Sequence, residues 1–90
     1  MSALYGFAYT EAALRFLEKA VPPKIGGQIK RKIEALAANP HPPGCKKLHG
    51  YGDGADDVYR IRSGDYRVLY VVRDVSIVIL DIDHRKDIYR

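Results

Sequence analysis

Between Val58 and Tyr70 the chain reads Val-Tyr-Arg-Ile-Arg-Ser-Gly-Asp-Tyr-Arg-Val-Leu-Tyr, and its last seven residues are His84-Arg85-Lys86-Asp87-Ile88-Tyr89-Arg90. Arginines alternate with apolar and aromatic residues on both sides of a Ser-Gly pair. In a β-hairpin such alternation sends arginines to one face and hydrophobic side chains to the other. With Ser63-Gly64 as a two-residue loop, Arg62 is expected opposite Asp65, Ile61 opposite Tyr66 and Arg60 opposite Arg67. Arg60, Arg62, Arg67, Leu69 and Val71 then share one face. Tyr59, Ile61, Tyr66, Val68, Tyr70 and Val72 share the other, which suits packing under helices. Like charges directly across a strand pair repel, so an Arg60–Arg67 pair costs stability unless it serves an anion. A guanidinium grips a phosphate through two parallel hydrogen bonds, and the chemistry suggested is therefore the holding of a phosphodiester.

The tail adds two groups of interest. His84 carries an imidazole, the side-chain type best suited to donate or accept a proton near neutral pH, if a scissile bond lies within reach. Tyr89 can stack on a base, an interaction worth about 1–3 kcal/mol, or pin the tail to the core. The structural alternative stands beside this reading: Asp65, Asp81 or Asp83 could neutralise the arginines on an ordinary solvated face. His41 and His49 have no metal-ligand spacing, and no metal or cofactor is expected. There is no Gly-rich phosphate loop and no arguable Ser-His-Asp triad.

The elements that must position these groups follow from periodicity and breakers. Leu4–Tyr9 reads as a first strand, and Thr10 as the N-cap of a helix over Ala12–Ala20 with Glu11 in its first turn. Val21-Pro22-Pro23 ends that helix. A second helix is expected from Lys24 to Ala38, with Ile25, Ile29, Ile33, Leu36 and Ala37 on one face, and with Gly26-Gly27 weakening its first turn. Residues 39–44, Asn-Pro-His-Pro-Pro-Gly, form a loop. Strands are expected at Lys46–Tyr51, Val58–Arg62, Asp65–Arg73 and Val75–Asp83, with a turn over residues 52–57. The order β-α-α-β-β-β-β implies an α+β domain spanning residues 1–90: an N-terminal strand and a helical hairpin packed on a twisted, mainly antiparallel sheet.

Composition narrows the class. Ninety residues with 47% hydrophobic and 29% charged content suit one modest folded core. No apolar run reaches the roughly 20 residues that span a bilayer, so no membrane partner is expected. The single Cys45 cannot form an internal disulfide and reads as a small packing residue. With no secretory signal pattern at Met1–Tyr5, a cytoplasmic location is expected. The net charge of +4 favours an anionic partner. Residues 1–47 hold eight Lys/Arg against three Asp/Glu, whereas residues 48–90 hold seven against eight. The hairpin arginines are thus sorted by strand alternation, not immersed in a uniformly basic segment. Lys30, Arg31, Lys46 and Lys47 offer further contacts for a polyanion such as RNA.

Leu48-His49-Gly50, the run from Tyr59 to Tyr70 and His84-Arg85-Lys86-Asp87-Ile88-Tyr89 together resemble the RelE/ParE superfamily of bacterial and archaeal toxins, over essentially the whole chain. The resemblance is closest to the RelE branch. It implies a cytoplasmic toxin of a type II toxin–antitoxin pair that binds a cognate antitoxin and cuts mRNA in the ribosomal A site, in contact with ribosomal RNA. ParE-like members share the fold and poison DNA gyrase, which is the alternative function. A catalytically weakened relative acting mainly through antitoxin binding is the other. The RelE-type reaction needs no metal: the ribose 2′-OH attacks the adjacent phosphorus, leaving a 2′,3′-cyclic phosphate and a free 5′-OH. By resemblance, Arg67 holds the scissile phosphate, Arg85 matches the arginine after the last strand, Tyr89 packs on a base and His84 stands where some relatives have a general acid. Arg60 and Arg62 occupy positions that carry lysines in well-studied members. An arginine stays protonated, so Arg60 is a poor general base.

Overall fold

The computed structural model describes residues 5–48 and 57–84. Strand β1 (Gly6–Tyr9) leads through Thr10 into helix α1 (Glu11–Arg15), which widens into a π-helical turn over Phe16–Ala20. Helix α2 (Pro23–Ala35) follows, and then strands β2 (Lys46–Leu48), β3 (Val58–Ser63), β4 (Tyr66–Arg73) and β5 (Ser76–His84). They form one five-stranded sheet in the order β1-β5-β4-β3-β2. The expected α+β architecture is present. The sheet is mainly antiparallel, with β1 running parallel to β5 as the exception.

Several boundaries differ from the sequence reading, each for a local reason. The first helix is not α-helical throughout, because it loosens at Phe16. The first helical stretch ends at Ala20, as expected, and Pro23 opens α2 one residue before the expected Lys24, where its fixed φ and missing N–H cost nothing. The last turn of α2 tightens, with Leu36 N–H donating to Ile33 O and Ala37 N–H to Glu34 O, so the α-helix stops at Ala35 instead of Ala38. The expected β2 extension through Tyr51 and the turn beyond it fall mostly outside the described residues. No helix among the described residues is long and apolar enough to cross a membrane.

One face of the sheet makes the main core. Ile61, Val68, Tyr70, Ile77, Ile79 and Ile82 pack beneath Ala13, Ile29, Ile33 and Leu36 of the helical layer. The tyrosine-bearing face of the hairpin is therefore the one packed under the helices, as expected, while Val58, Leu69 and Val71 form a second buried cluster on the opposite face. Tyr70, fully buried, donates its hydroxyl to Pro40 O at 2.7 Å and so ties the proline loop to the sheet centre. Cys45 is partly buried against this core, in keeping with a packing role.

Two features set the sheet's geometry. The β3–β4 loop is Gly64-Asp65 and not Ser63-Gly64: Ser63 pairs with Tyr66, and Gly64 takes φ +60. Glycine at the first of two loop positions is the pattern of type II′ hairpins, whose twist matches the strands. The second feature is a bulge in β5. Leu69 pairs with Asp81 and Tyr70 with Ile79, leaving Leu80 as the extra residue. The Thr10 hydroxyl donates to Leu80 O at 2.7 Å and accepts from Ala13 N at 3.2 Å. One side chain thus caps α1 and satisfies the bulge carbonyl.

Candidate functional site

The corrected hairpin register changes who faces whom without changing the faces. Arg62 stands opposite Arg67, and Arg60 stands opposite Leu69. The expected Arg60–Arg67 and Arg62–Asp65 pairs do not form. Each of these pairings has slid by two residues, and a slide of two preserves side-chain alternation. On the other side of β3, Lys46 of β2 stands opposite Arg60. Cross-strand neighbours share a face, so Lys46, Arg60, Arg62 and Arg67 form one cationic surface with two like-charge cross-strand pairs, Lys46–Arg60 and Arg62–Arg67. Arg60 and Arg67 are only 7% and 5% exposed, whereas Arg62 and Lys46 are open to solvent. Buried guanidiniums are held in place by packing, which suits recognition of a planar pair of phosphate oxygens.

The arginine face is not uniformly cationic. Asp83 stands opposite Arg67 and Asp81 opposite Leu69. The β5 bulge is responsible. Ile77 and Ile79 point to the helical layer, and simple alternation would send residues 81 and 83 the same way. The extra Leu80 reverses the parity, bringing Asp81 and Asp83 to the arginine face and Ile82 to the core. The same reversal carries His84 to the helix side. There it pairs with Tyr66, ring centroids 5.2 Å apart and nearly perpendicular, while Phe16 meets the same tyrosine at 5.9 Å. His84 therefore does not join Arg60, Arg62 and Arg67 on their face. Arg85 and Tyr89 lie outside the described residues.

The remaining expected contacts separate. Lys46 belongs to the cationic face. Lys47 points the other way along β2 and forms an exposed ion pair with Asp57 at 3.3 Å. Lys30 and Arg31 are exposed on α2. A groove of about 480 Å³ opens at the β3 edge, lined by Lys32, Lys46, Arg60 and Arg62 together with the Pro42-Pro43-Gly44 turn. Lys32 was not singled out in the sequence. Its only signal there is its place beside the core-facing Ile33. Among the described residues no group of three His, Cys, Asp or Glu is arranged to hold a metal.

Behind this face an aromatic stack sets the loop. Tyr59 stacks on Tyr70 with centroids 5.9 Å apart, and His41 meets Tyr59 edge-on at 4.6 Å. Burial, and then the nearby Cys45, push the Tyr70 phenol well above its ordinary range. That tyrosine is a neutral structural donor, not a proton carrier at neutral pH.

Comparison with known proteins places this small α+β domain in a class of toxins. Residues 7–89 match the family model of the ParE toxin of type II toxin–antitoxin systems. The chain is 39% identical over 77 residues to a candidate toxin, RelE1, of Methanocaldococcus jannaschii, covering 80% of this chain and 81% of that one. It is 34% identical over 88 residues to toxin RelG of Mycobacterium tuberculosis, covering 96% and 97%. In structure it is similar to a chain of the archaeal RelE–RelB complex of Pyrococcus horikoshii, with TM-score 0.77, 30% identity, and 93% and 98% of the two chains covered. The chain belongs to the RelE/ParE superfamily of type II toxins, on its RelE-like branch.

Proposed function

We propose that this toxin is a ribosome-dependent endoribonuclease that cleaves mRNA by 2′-OH attack and is neutralised by a cognate antitoxin of the RelB kind. The observation that supports the reading is the gathering of four cations on one face, with Lys46 opposite Arg60 and Arg62 opposite Arg67, in excess of the Asp83 that also stands opposite Arg67. A phosphate bound there would meet guanidinium groups suited to gripping it through paired hydrogen bonds. The toxin–antitoxin complexes among its structural relatives support the partner.

In the proposed reaction the 2′-oxygen bonds to phosphorus as the bond to the 5′-oxygen breaks, giving a 2′,3′-cyclic phosphate and a 5′-OH. Arg67 and Arg62 bind the phosphoryl oxygens and stabilise their growing charge, with Arg60 and Lys46 beside them and Arg85 and Tyr89 completing the set. The 2′-OH proton must leave and the 5′-oxygen must gain one. Arginine performs neither task near pH 7. With His84 on the helix side, proton transfer is assigned to groups that the ribosome contributes or brings into place. That assignment fits an enzyme that acts only on ribosome-held mRNA.

Loss of one well-placed donor to a developing oxyanion costs about 2.7–4 kcal/mol. Arg67→Ala is therefore expected to slow mRNA cleavage about 10²–10³-fold and to relieve growth arrest on induction, with circular dichroism confirming a folded chain. A folded Arg67→Ala variant that arrests growth fully removes the assignment. The name of the matching family model favours a second reading, a gyrase inhibitor. Induction would then yield cleaved DNA complexes and intact mRNA.

A further inference from the structure

The groove at the β3 edge has a composition and position that the proposed cleavage site does not use in full. Strand β2 covers β3 only opposite Val58, Tyr59 and Arg60. Gly44, at φ +91 after Pro42-Pro43, turns the chain away before it can pair further. Cys45 N–H closes that turn onto Pro42 O at 3.0 Å. The edge of β3 at Ile61 and Arg62 is consequently left as the floor of a groove, with α2 as one wall and the proline turn as the other. Its volume, about 480 Å³, falls in the range that accommodates a small organic ligand, roughly 300–1,000 Å³.

Three solvent-exposed cations meet there from three separate elements: Lys32 from α2, Lys46 from β2 and Arg62 from β3. No carboxylate occurs among the described residues lining the groove. Lys46 and Arg62 also belong to the arginine face, so groove and face are continuous around the sheet edge. Lys32 is the element that only the groove explains. Lys30 and Arg31, its neighbours on the same helix, do not line it.

The geometry points to a second RNA subsite: the strand whose scissile phosphate lies on Arg67 and Arg62 continues around the β3 edge, and a flanking phosphate in the groove is bound by Lys32 and Lys46. This rests on the reading of the arginine face as an RNA surface. Lys32 here is a binding residue for a flanking nucleotide and takes no part in bond cleavage. A continuous run of cations is the usual means of tracking a single-stranded backbone. Continuity with the arginine face favours RNA over an acidic peptide.

The test is binding, not cleavage. A fluorescein-labelled hexauridylate with 2′-O-methyl groups throughout has no free 2′-OH and cannot be cut, so its anisotropy reports affinity alone. Titrations over a series of salt concentrations are compared for the wild-type toxin, Lys32→Ala, Lys32→Arg and a control, Lys19→Ala, outside the groove. One lost phosphate contact reduces the slope of log affinity against log salt by about 0.7 for single strands. Lys32→Ala is expected to show that reduction and a several-fold loss of affinity at low salt, with Lys32→Arg and Lys19→Ala close to wild type. An unchanged slope in Lys32→Ala, or an equal change in Lys19→Ala, overturns the subsite. So does a hexaglutamate peptide whose binding alone depends on Lys32, which would assign the groove to an acidic protein segment. Since Arg67→Ala is read by mRNA cleavage and Lys32→Ala by binding of an uncleavable strand, failure of the subsite is told apart from failure of the reading on which it rests.

Discussion

Arg62 and Arg67 occupy directly opposed positions across the hairpin, and because Asp83 stands on the other side of Arg67, it is Arg62 whose removal would relieve repulsion in a protein that needed only to fold. Like charges in directly opposed strand positions are destabilising, on a scale of about 0.2–1 kcal/mol. Arg62 is exposed, so its replacement opens no cavity. Arg62→Gln is therefore expected to raise the melting temperature at low salt, with the gain shrinking as salt screens the pair, while mRNA cleavage falls. A lower melting temperature together with full activity would show that the arginines are structural. The arginine face itself was legible in the sequence because period-two alternation survives a two-residue slide. The partners were not, because they depend on whether Ser63 or Asp65 belongs to the turn. The glycine-first rule for type II′ loops held the answer. His84 is the harder case. The sequence offered it as a proton donor or acceptor within reach of a scissile bond, and one extra residue in β5 sends it to Tyr66, away from the arginine face.

At the level of elements, that bulge is tied to Thr10. Its hydroxyl serves α1 and β5 together, and both partners would lose a bond if it were removed. A lost N-cap costs about 0.5–2 kcal/mol, and an unsatisfied carbonyl adds to it. Thr10→Ala is expected to lower unfolding free energy by about 1–3 kcal/mol in urea titrations, and Thr10→Ser to restore most of it. Equal stability of Thr10→Ala and the wild type would mean that the bulge is held by packing alone. The sequence identified Thr10 as a helix cap from its place before Glu11. It gave no sign of the bond to Leu80, seventy residues away, because that contact exists only once β1 has paired parallel to β5. The helices were legible for a similar reason. Ile29, Ile33 and Leu36 mark the buried stripe of the α2 segment, whereas the π-helical widening at Phe16 leaves no comparable mark in local periodicity.

Across the whole molecule, the layers are joined by Tyr70, which anchors the proline loop to the middle of the sheet. Its phenol has a folded pKa raised above the unfolded value of 10.0 by burial first and by Cys45 next. The folded chain thus holds this proton more tightly than the unfolded chain. The resulting stability is complete below about pH 10 and is lost as pH rises beyond it. Tyr70→Phe should flatten that part of the stability–pH profile and, by deleting the bond to Pro40 O, lower stability at neutral pH by about 1–3 kcal/mol. An unaltered alkaline profile would place the titration elsewhere. The molecule's charge follows the same division between scaffold and surface. A net +4 gives only a bias towards anions, and it is the sheet that gathers Lys46, Arg60, Arg62 and Arg67 into one face. The central claim is that this face holds an mRNA phosphate during 2′-OH attack. Its most direct test is a translation reaction with purified ribosomes, in which the ends of the message are mapped and chemically typed with wild-type and Arg67→Ala toxin. The account predicts ribosome-dependent cuts bearing 2′,3′-cyclic phosphate and 5′-OH ends for the wild type, and their near-loss in the folded variant. Intact message with the wild-type toxin, or undiminished cuts with Arg67→Ala, would contradict it.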